Sequence, residues 1–226
     1  METTNRKTIL VTGSEGWVGG NLVPRLEKEY DVKRYDLKLG RDINDVGGLV
    51  SCLNGVSVIL HLAGMRGPDC DLNGATVDDY KSIHEGTKSV VEACEKAGVK
   101  RLIYLSTGAV YGTKLFDKEP GQQTPNGYIR QEMPYPITDD TPYCDNPHPY
   151  SYWKGVSSDY VAEHGGTVFY VNGLGSPNGE WKISFNNIAM AVKLAIEKDV
   201  PGKFNIADEG CSVDISKADK LLGYKG

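Results

Sequence analysis

The stretch VTGSEGWVGG, residues 11–20, constrains this chain most, because it sets four glycines in eight positions between an apolar run and a helical pattern. KTILVTG before it reads as a strand, and Val18, Leu22 and Leu26 behind it recur at four-residue steps, the stripe of an amphipathic helix with Pro24 as a blemish. In that context Gly13, Gly16 and Gly19 let the chain turn tightly, let the backbone approach a pyrophosphate, and let helix pack on strand with no Cβ between them. The amino end of the helix adds free N–H groups and roughly half a positive charge. No Lys-Ser or Lys-Thr follows the last glycine, which excludes a Walker loop. The competing reading is a strand-to-helix turn that binds nothing. Against it stands Asp36, at the end of a second strand, DVKRYDL, about twenty residues on, where a carboxylate accepts hydrogen bonds from ribose hydroxyls. The same carboxylate repels a 2′-phosphate, so NAD is expected, with Lys38 keeping NADP possible.

The rest of the chain continues the alternation. INDVGGLVSCLNG suits a short helix, VSVILHLAG a strand buried on both faces, residues 76–98 a long helix with Val90, Val91 and Cys94 on one stripe and Gly98 as its stop, and KRLIYLST another buried strand. Seven prolines crowd residues 112–149, predicting a long surface loop. Helical spacing returns in YSYWKGVSSDYVAEH, then come the strand GTVFYV, a helix around NNIAMAVKLAIEK, a strand KFNIA and a helical turn SKADKLLG. Alternation of this kind predicts an α/β fold, a Rossmann-type doubly wound parallel sheet. The 226 residues suit one domain. Residues 1–175 are expected to form the NAD-binding unit, including the Tyr-Lys helix, and 176–226 a reduced substrate-binding part without independence.

Charge and cysteine content narrow the partners. With 25 basic against 30 acidic residues the net charge is -5, so neither nucleic acid nor an anionic membrane is expected as a partner. No run approaches the ~18 apolar residues of a membrane span, and METTNRK lacks the apolar core of a signal peptide, so a soluble cytoplasmic protein is expected. Five scattered cysteines without a CxxC pair fit reduced thiols.

A second signal is YSYWK, in which Tyr150 and Lys154 share one helix face. A tyrosine with a pKa near ~10 is a poor base alone; a neighbouring ammonium favours its phenolate, and about three units of lowering would need roughly 4 kcal/mol. Thr107, at the end of RLIYLST, puts a hydroxyl at the carboxyl edge of the sheet, where α/β proteins present ligand groups. Thr107, Tyr150 and Lys154 are therefore the candidate catalytic residues.

Taken in order, these motifs resemble the extended short-chain dehydrogenase/reductase family, the NAD-dependent sugar epimerases and dehydratases. TGSEGWVG is similar to its TGxxGxxG, YDL to its ribose-binding acid, RDIND to its adenine-contacting segment, HLAG to its fourth-strand cofactor motif, and LSTGAVYG with PYSYWK to its catalytic Ser/Thr and Tyr-x-x-x-Lys. The resemblance implies cofactor contacts from Gly13, Ser14, Gly16, Trp17, Val18, Gly19, Asp36, Asp42, Ile43, Leu62, Ala63, Gly64, Tyr150 and Lys154. It implies substrate contacts from Arg66, Gly108 and Asn172, a sugar or nucleotide-sugar substrate, and a homodimer formed through residues 76–98 and 151–164. The chain departs from the pattern at Ile83, where the family usually has Asn, at Trp153, at Asn187, in FYVNGLGSP, which lacks an Arg, and in a shortened C-terminal substrate-binding part. The expected activity is transient oxidation of a sugar carbon by NAD, with Tyr150 as base and acid, ending in epimerisation or dehydration. A uronate-type dehydrogenase releasing NADH and a non-catalytic NAD-binding sensor or scaffold are the alternatives. No metal is expected: Cys144 and His148 sit four apart with no third ligand evident, and His84 does not belong to an HExxH helix. His61 reads as a satisfied near-core histidine, Tyr104 and Tyr111 as packing residues.

Overall fold

The computed structural model describes residues 6–65, 77–112, 133–145, 148–176 and 179–226. Six strands, β1 (Thr8–Thr12), β2 (Asp31–Tyr35), β3 (Val58–His61), β4 (Leu102–Leu105), β5 (Thr167–Tyr170) and β6 (Gly202–Asn205), form one parallel sheet in the order β2-β1-β3-β4-β5-β6. The helices are α1 (Trp17–Leu26), α2 (Val46–Cys52), α3 (Val77–Ala97), α4 (Pro149–Glu163), α5 (Phe185–Lys198) and α6 (Ser216–Leu222). A period of two along each strand divides the apolar side chains between two layers. Ile9 and Val11 join Leu22, Val23, Val192 and Ile196 under α1 and α5, while Leu10 joins Leu49, Val90 and Val161 under α2, α3 and α4. This is the doubly wound Rossmann-type architecture. Connections leave β1 toward β2 on one side and β3 on the other, so the carboxyl ends of β1 and β3 face a topological switch point, where such sheets bind ligands.

Three details differ from the sequence reading. α1 stops at Leu26, the N–H groups of Glu29 and Tyr30 turning back to its carbonyl. It passes through Pro24, which has no N–H to give the Gly20 carbonyl one turn earlier. The stretch expected as a surface loop is partly core: Met133 and Ile137 are buried, and Ile137 bridges to Val213, its N–H donating to the Ser212 carbonyl at 3.1 Å. The remainder of that stretch, 113–132 and 146–147, lies outside the described residues.

Residues beyond 175 enter the same sheet. β6 pairs with β5, and α5 packs on α1, with Arg101 at the start of β4 donating to the carbonyls of Ala195 and Ile196 at the α5 end. Among the described residues no helix is long and apolar enough to cross a membrane.

Candidate active site

At the switch point the loop after β1 folds as its glycines predict. Gly13 has φ +70°, a region that favours glycine, and a Cβ there would lie 2.7 Å from the Ala63 nitrogen; at Gly19 a Cβ would lie 2.2 Å from the Gly13 carbonyl. Gly13 N–H donates to the Tyr35 carbonyl (2.8 Å), drawing β2 against the loop. The first-turn N–H groups of Trp17, Val18 and Gly19 have no intrahelical acceptor and open toward this edge, a ready anion site with no acid in the first turn. The Trp17 indole itself turns outward, half-exposed and edge-on to Phe185 (5.3 Å), so the backbone of this residue serves the loop. The pyrophosphate of NAD fits such a cradle.

Asp36 closes the rim. Its Oδ2 accepts from the Glu15 N–H (3.0 Å) and its Oδ1 from the Lys38 N–H (2.9 Å). Lys38 Nζ donates to the Glu15 carbonyl (2.8 Å), and Arg34 pairs with Glu15 and Glu27, so the cations near this corner are already engaged. Asp42 caps its own turn, accepting from the Asn44 backbone N–H (2.9 Å), while the Ile43 side chain packs on α3 at Gly86.

Beneath the loop His61 is fully buried and bonded at both nitrogens: Nδ1 lies 2.7 Å from Thr12 Oγ1, Nε2 3.1 Å from Thr87 Oγ1. Thr87 Oγ1 donates to the Ile83 carbonyl (2.8 Å), so it accepts from Nε2–H; Nδ1 then accepts the Thr12 proton, leaving the Thr12 oxygen for the Leu62 and Ala63 N–H groups, both at 3.3 Å. Every proton is assigned with the ring neutral, and burial, then the charge of Lys154, push its pKa down to about 3. The cofactor segment Leu62–Gly64 is thus hung from β1 through Thr12.

The second half of the site comes from β4 and α4. Thr107 follows β4 and caps a 3-10 turn over Gly108–Tyr111; its Oγ1 accepts from the Ala109 N–H (3.2 Å), which leaves its own proton to donate. Tyr150 sits in the first turn of α4, its N–H donating to His148 Nδ1 (3.1 Å), and its ring meets that of Tyr80 from α3 at 6.4 Å. Tyr80 also meets His148 edge-on at 5.2 Å. One turn on, Lys154 is buried at 7 % exposure: Nζ donates to the Leu105 carbonyl (2.7 Å) and stands 4.1 Å from the centre of the Tyr104 ring. Desolvation pushes its pKa down to about 7.

Gly108 and Asn172 meet at the same edge, Gly108 N–H donating to the Val171 carbonyl (2.8 Å), and the Trp181 indole lies directly against Gly108. Arg66 lies outside the described residues. His148 serves as an N-cap, Cys144 holds the Val110 carbonyl through its N–H, and among the described residues no three metal-ligating side chains gather. His84 stacks on Trp153 between α3 and α4, and Tyr111 packs among Tyr143, Tyr170 and Trp181. Sequence reasoning missed Tyr80, the capping role of His148, and the Ser106–Ser158 pair (2.7 Å), whose Ser158 also donates to the Lys154 carbonyl. The only signal for that pair was a serine four residues after the lysine. A separate cavity of about 290 Å³, lined by Tyr143, Asp159, Lys203 and Lys217, lies by the far half of α4, Asp159 standing nine residues, roughly 13 Å of helix, beyond Tyr150.

The family model described as "NAD dependent epimerase/dehydratase family" matches residues 9–166. The chain belongs to that family. The matched span holds the glycine loop, Asp36, Thr107, Tyr150 and Lys154. Among curated relatives, a 3-beta-hydroxysteroid dehydrogenase of Mycolicibacterium neoaurum is 28% identical over 198 residues, 79% of this chain and 49% of that protein. The chain therefore spans about half the length of that relative. Among solved structures, a mutated uronate dehydrogenase superposes with a TM-score of 0.73 at 19% identity, covering 96% of this chain and 80% of that one. The dTDP-glucose 4,6-dehydratase of Streptomyces venezuelae gives a TM-score of 0.72 at 18% identity, covering 96% and 91%. At such identities these two likenesses concern the fold.

Proposed function

We propose that this family member is a net dehydrogenase that oxidises a secondary alcohol of a free sugar or sugar acid with NAD. The observation that carries the reading is the bond from Lys154, one turn after Tyr150 on α4, to the Leu105 carbonyl at the end of β4, two residues before Thr107. In this reading Tyr150 Oη takes the proton of the substrate hydroxyl, the Thr107 hydroxyl donates to the substrate oxygen, and the Lys154 ammonium one turn away favours the phenolate. NAD, when bound, accepts the hydride. It would be held by the N–H groups of Trp17, Val18 and Gly19, by Asp36, by the Asp42–Ile43 and Leu62–Gly64 segments, and by Tyr150 and Lys154. Gly108 and Asn172 would face the substrate.

Two observations support a small substrate and a released product. The connections between β5 and α5 (residues 171–184) and between β6 and α6 (206–215) are short, leaving little chain to bed a nucleotide. The curated relative is named as a dehydrogenase. The second reading, epimerisation or dehydration of a nucleotide sugar through a retained keto intermediate, draws on the family's description and on the dTDP-glucose 4,6-dehydratase. A homodimer formed through α3 and α4 belongs to the same proposal, supported by half-exposed Tyr152 on α4; analytical ultracentrifugation measures it.

The test is steady-state assay with NAD against uronates, hexoses, nucleotide sugars and a 3β-hydroxysteroid. Net NADH from a free sugar or sugar acid meets the expectation, altered nucleotide sugar without NADH supports the second reading, and NADH from the steroid alone overturns the substrate class. Tyr150→Phe is expected to lower turnover by about a thousandfold while NAD affinity stays within about threefold.

A further inference from the structure

We propose that Tyr104 is a positioning residue for Lys154: its ring face and the Leu105 carbonyl together hold the buried lysine as an ammonium at the Tyr150 end of α4. The inference rests on the reading above of Lys154 as partner of the cofactor and of Tyr150, and adds how the chain keeps that lysine charged.

An ammonium in this place has little else to lean on. Lys154 is buried, one of its three donors goes to the Leu105 carbonyl, and the lowering of its pKa arises from desolvation, no carboxylate among the described residues offsetting it. The titratable groups that face it are His61 from β3, Tyr104 from β4 and Tyr150 from its own helix; α3 contributes the uncharged Thr87 hydroxyl through His61. None is an anion at neutral pH, so among the described residues the negative face of the Tyr104 ring, 4.1 Å from Nζ, is the electrostatic partner besides the Leu105 carbonyl, well inside the ≈ 6 Å reach of a cation–π contact and stronger for being desolvated.

Tyr104 is itself fixed in place. It is fully buried and stacks on His61 at 5.2 Å with the planes 28° apart. Because His61 spends both nitrogens on Thr12 and Thr87, it stays neutral and sets no positive charge against the lysine. The Tyr104 hydroxyl lies toward Ser157 and Thr87 without a well-formed hydrogen bond to either, which makes the ring rather than the hydroxyl the useful part.

The experiment measures NAD affinity against pH by calorimetry, from about pH 6 to 10, for the wild type, Tyr104→Phe, Tyr104→Leu, a variant with pentafluorophenylalanine at position 104, and Lys154→Met. Affinity of the wild type is expected to fall above about pH 7, as Lys154 loses its proton. Tyr104→Phe keeps a similar profile. Tyr104→Leu and the fluorinated ring, whose face is no longer negative, move the fall acidward by about one pH unit, so NAD binds about tenfold more weakly near pH 8. The fluorinated ring keeps the aromatic shape and serves where leucine fails to fold. Superposition of the fluorinated variant on Tyr104→Phe overturns the proposal. If Lys154→Met retains the wild-type fall, the reading of Lys154 fails with it; if Lys154→Met abolishes the fall while the Tyr104 variants leave it in place, only the role of Tyr104 fails.

Discussion

His61 and Lys154 are both buried bases in contact with the Tyr104 ring, yet their surroundings treat charge in opposite ways. Around His61 every donor meets an acceptor with the ring neutral, and its pKa falls to about 3. Around Lys154 one carbonyl and one aromatic face receive three N–H groups, and its pKa falls only to about 7, inside the working range of a cell. The histidine is held neutral down to acid pH; the lysine is left close to balance, so that a bound anion or a phenolate tips it. Burial alone therefore does not separate scaffold from site, whereas the completeness of hydrogen bonding does.

The largest effect expected from this contrast lies in pH-dependent stability. A base whose folded pKa is depressed leaves the unfolded chain holding more protons between the two pKa values, so stability rises with pH across that window. For Lys154 the window runs from about 7 to the unfolded value near 10.4. Denaturant titrations of Lys154→Met and wild type should diverge by about 4 kcal/mol between the two ends, the variant gaining on the wild type as pH falls. Equal pH profiles would sink the contrast. The window of His61 is separate, from the unfolded ~6.5 down to about 3, where stability drains as pH falls.

Next in size, His61→Ala is expected to cost about 3 kcal/mol at neutral pH, since it opens a cavity and strands Thr12 and Thr87, and to weaken NAD binding by loosening the Leu62–Gly64 segment. The smallest effect is that of Thr87→Val, which keeps the shape and orphans one ring N–H. A loss of about 1–2 kcal/mol by urea unfolding, with the Lys154 window unmoved, would sharpen the division between the two bases.

The sequence made the strand and helix order legible, because period-two and four-residue apolar patterns such as Ile9-Val11 and Val18-Leu22-Leu26 report burial directly. The glycine loop, Asp36, Thr107, Tyr150 and Lys154 were legible as a spaced set. Contacts between distant segments were not. Tyr104 reads as a packing residue within an apolar strand, and nothing in the string LIYL announces that its ring lies between a histidine of β3 and a lysine of α4. Ile137 was placed in a loop because prolines surround it; the bridge to Val213, 76 positions away, is what buries it. Likewise the state of Lys154 follows from its burial between β4 and α4, which no local pattern encodes.

Asp36 carries a further consequence. Since its two oxygens already receive the N–H groups of Glu15 and Lys38, the carboxylate shapes the glycine loop before any nucleotide arrives. Cofactor choice and loop architecture are thereby one variable at this position. Redesign toward a phosphorylated ribose would have to leave Asp36 in place and work on the neighbouring Glu15–Arg34 ion pair and on Lys38, whose side-chain contacts can be rewired without unbending the turn.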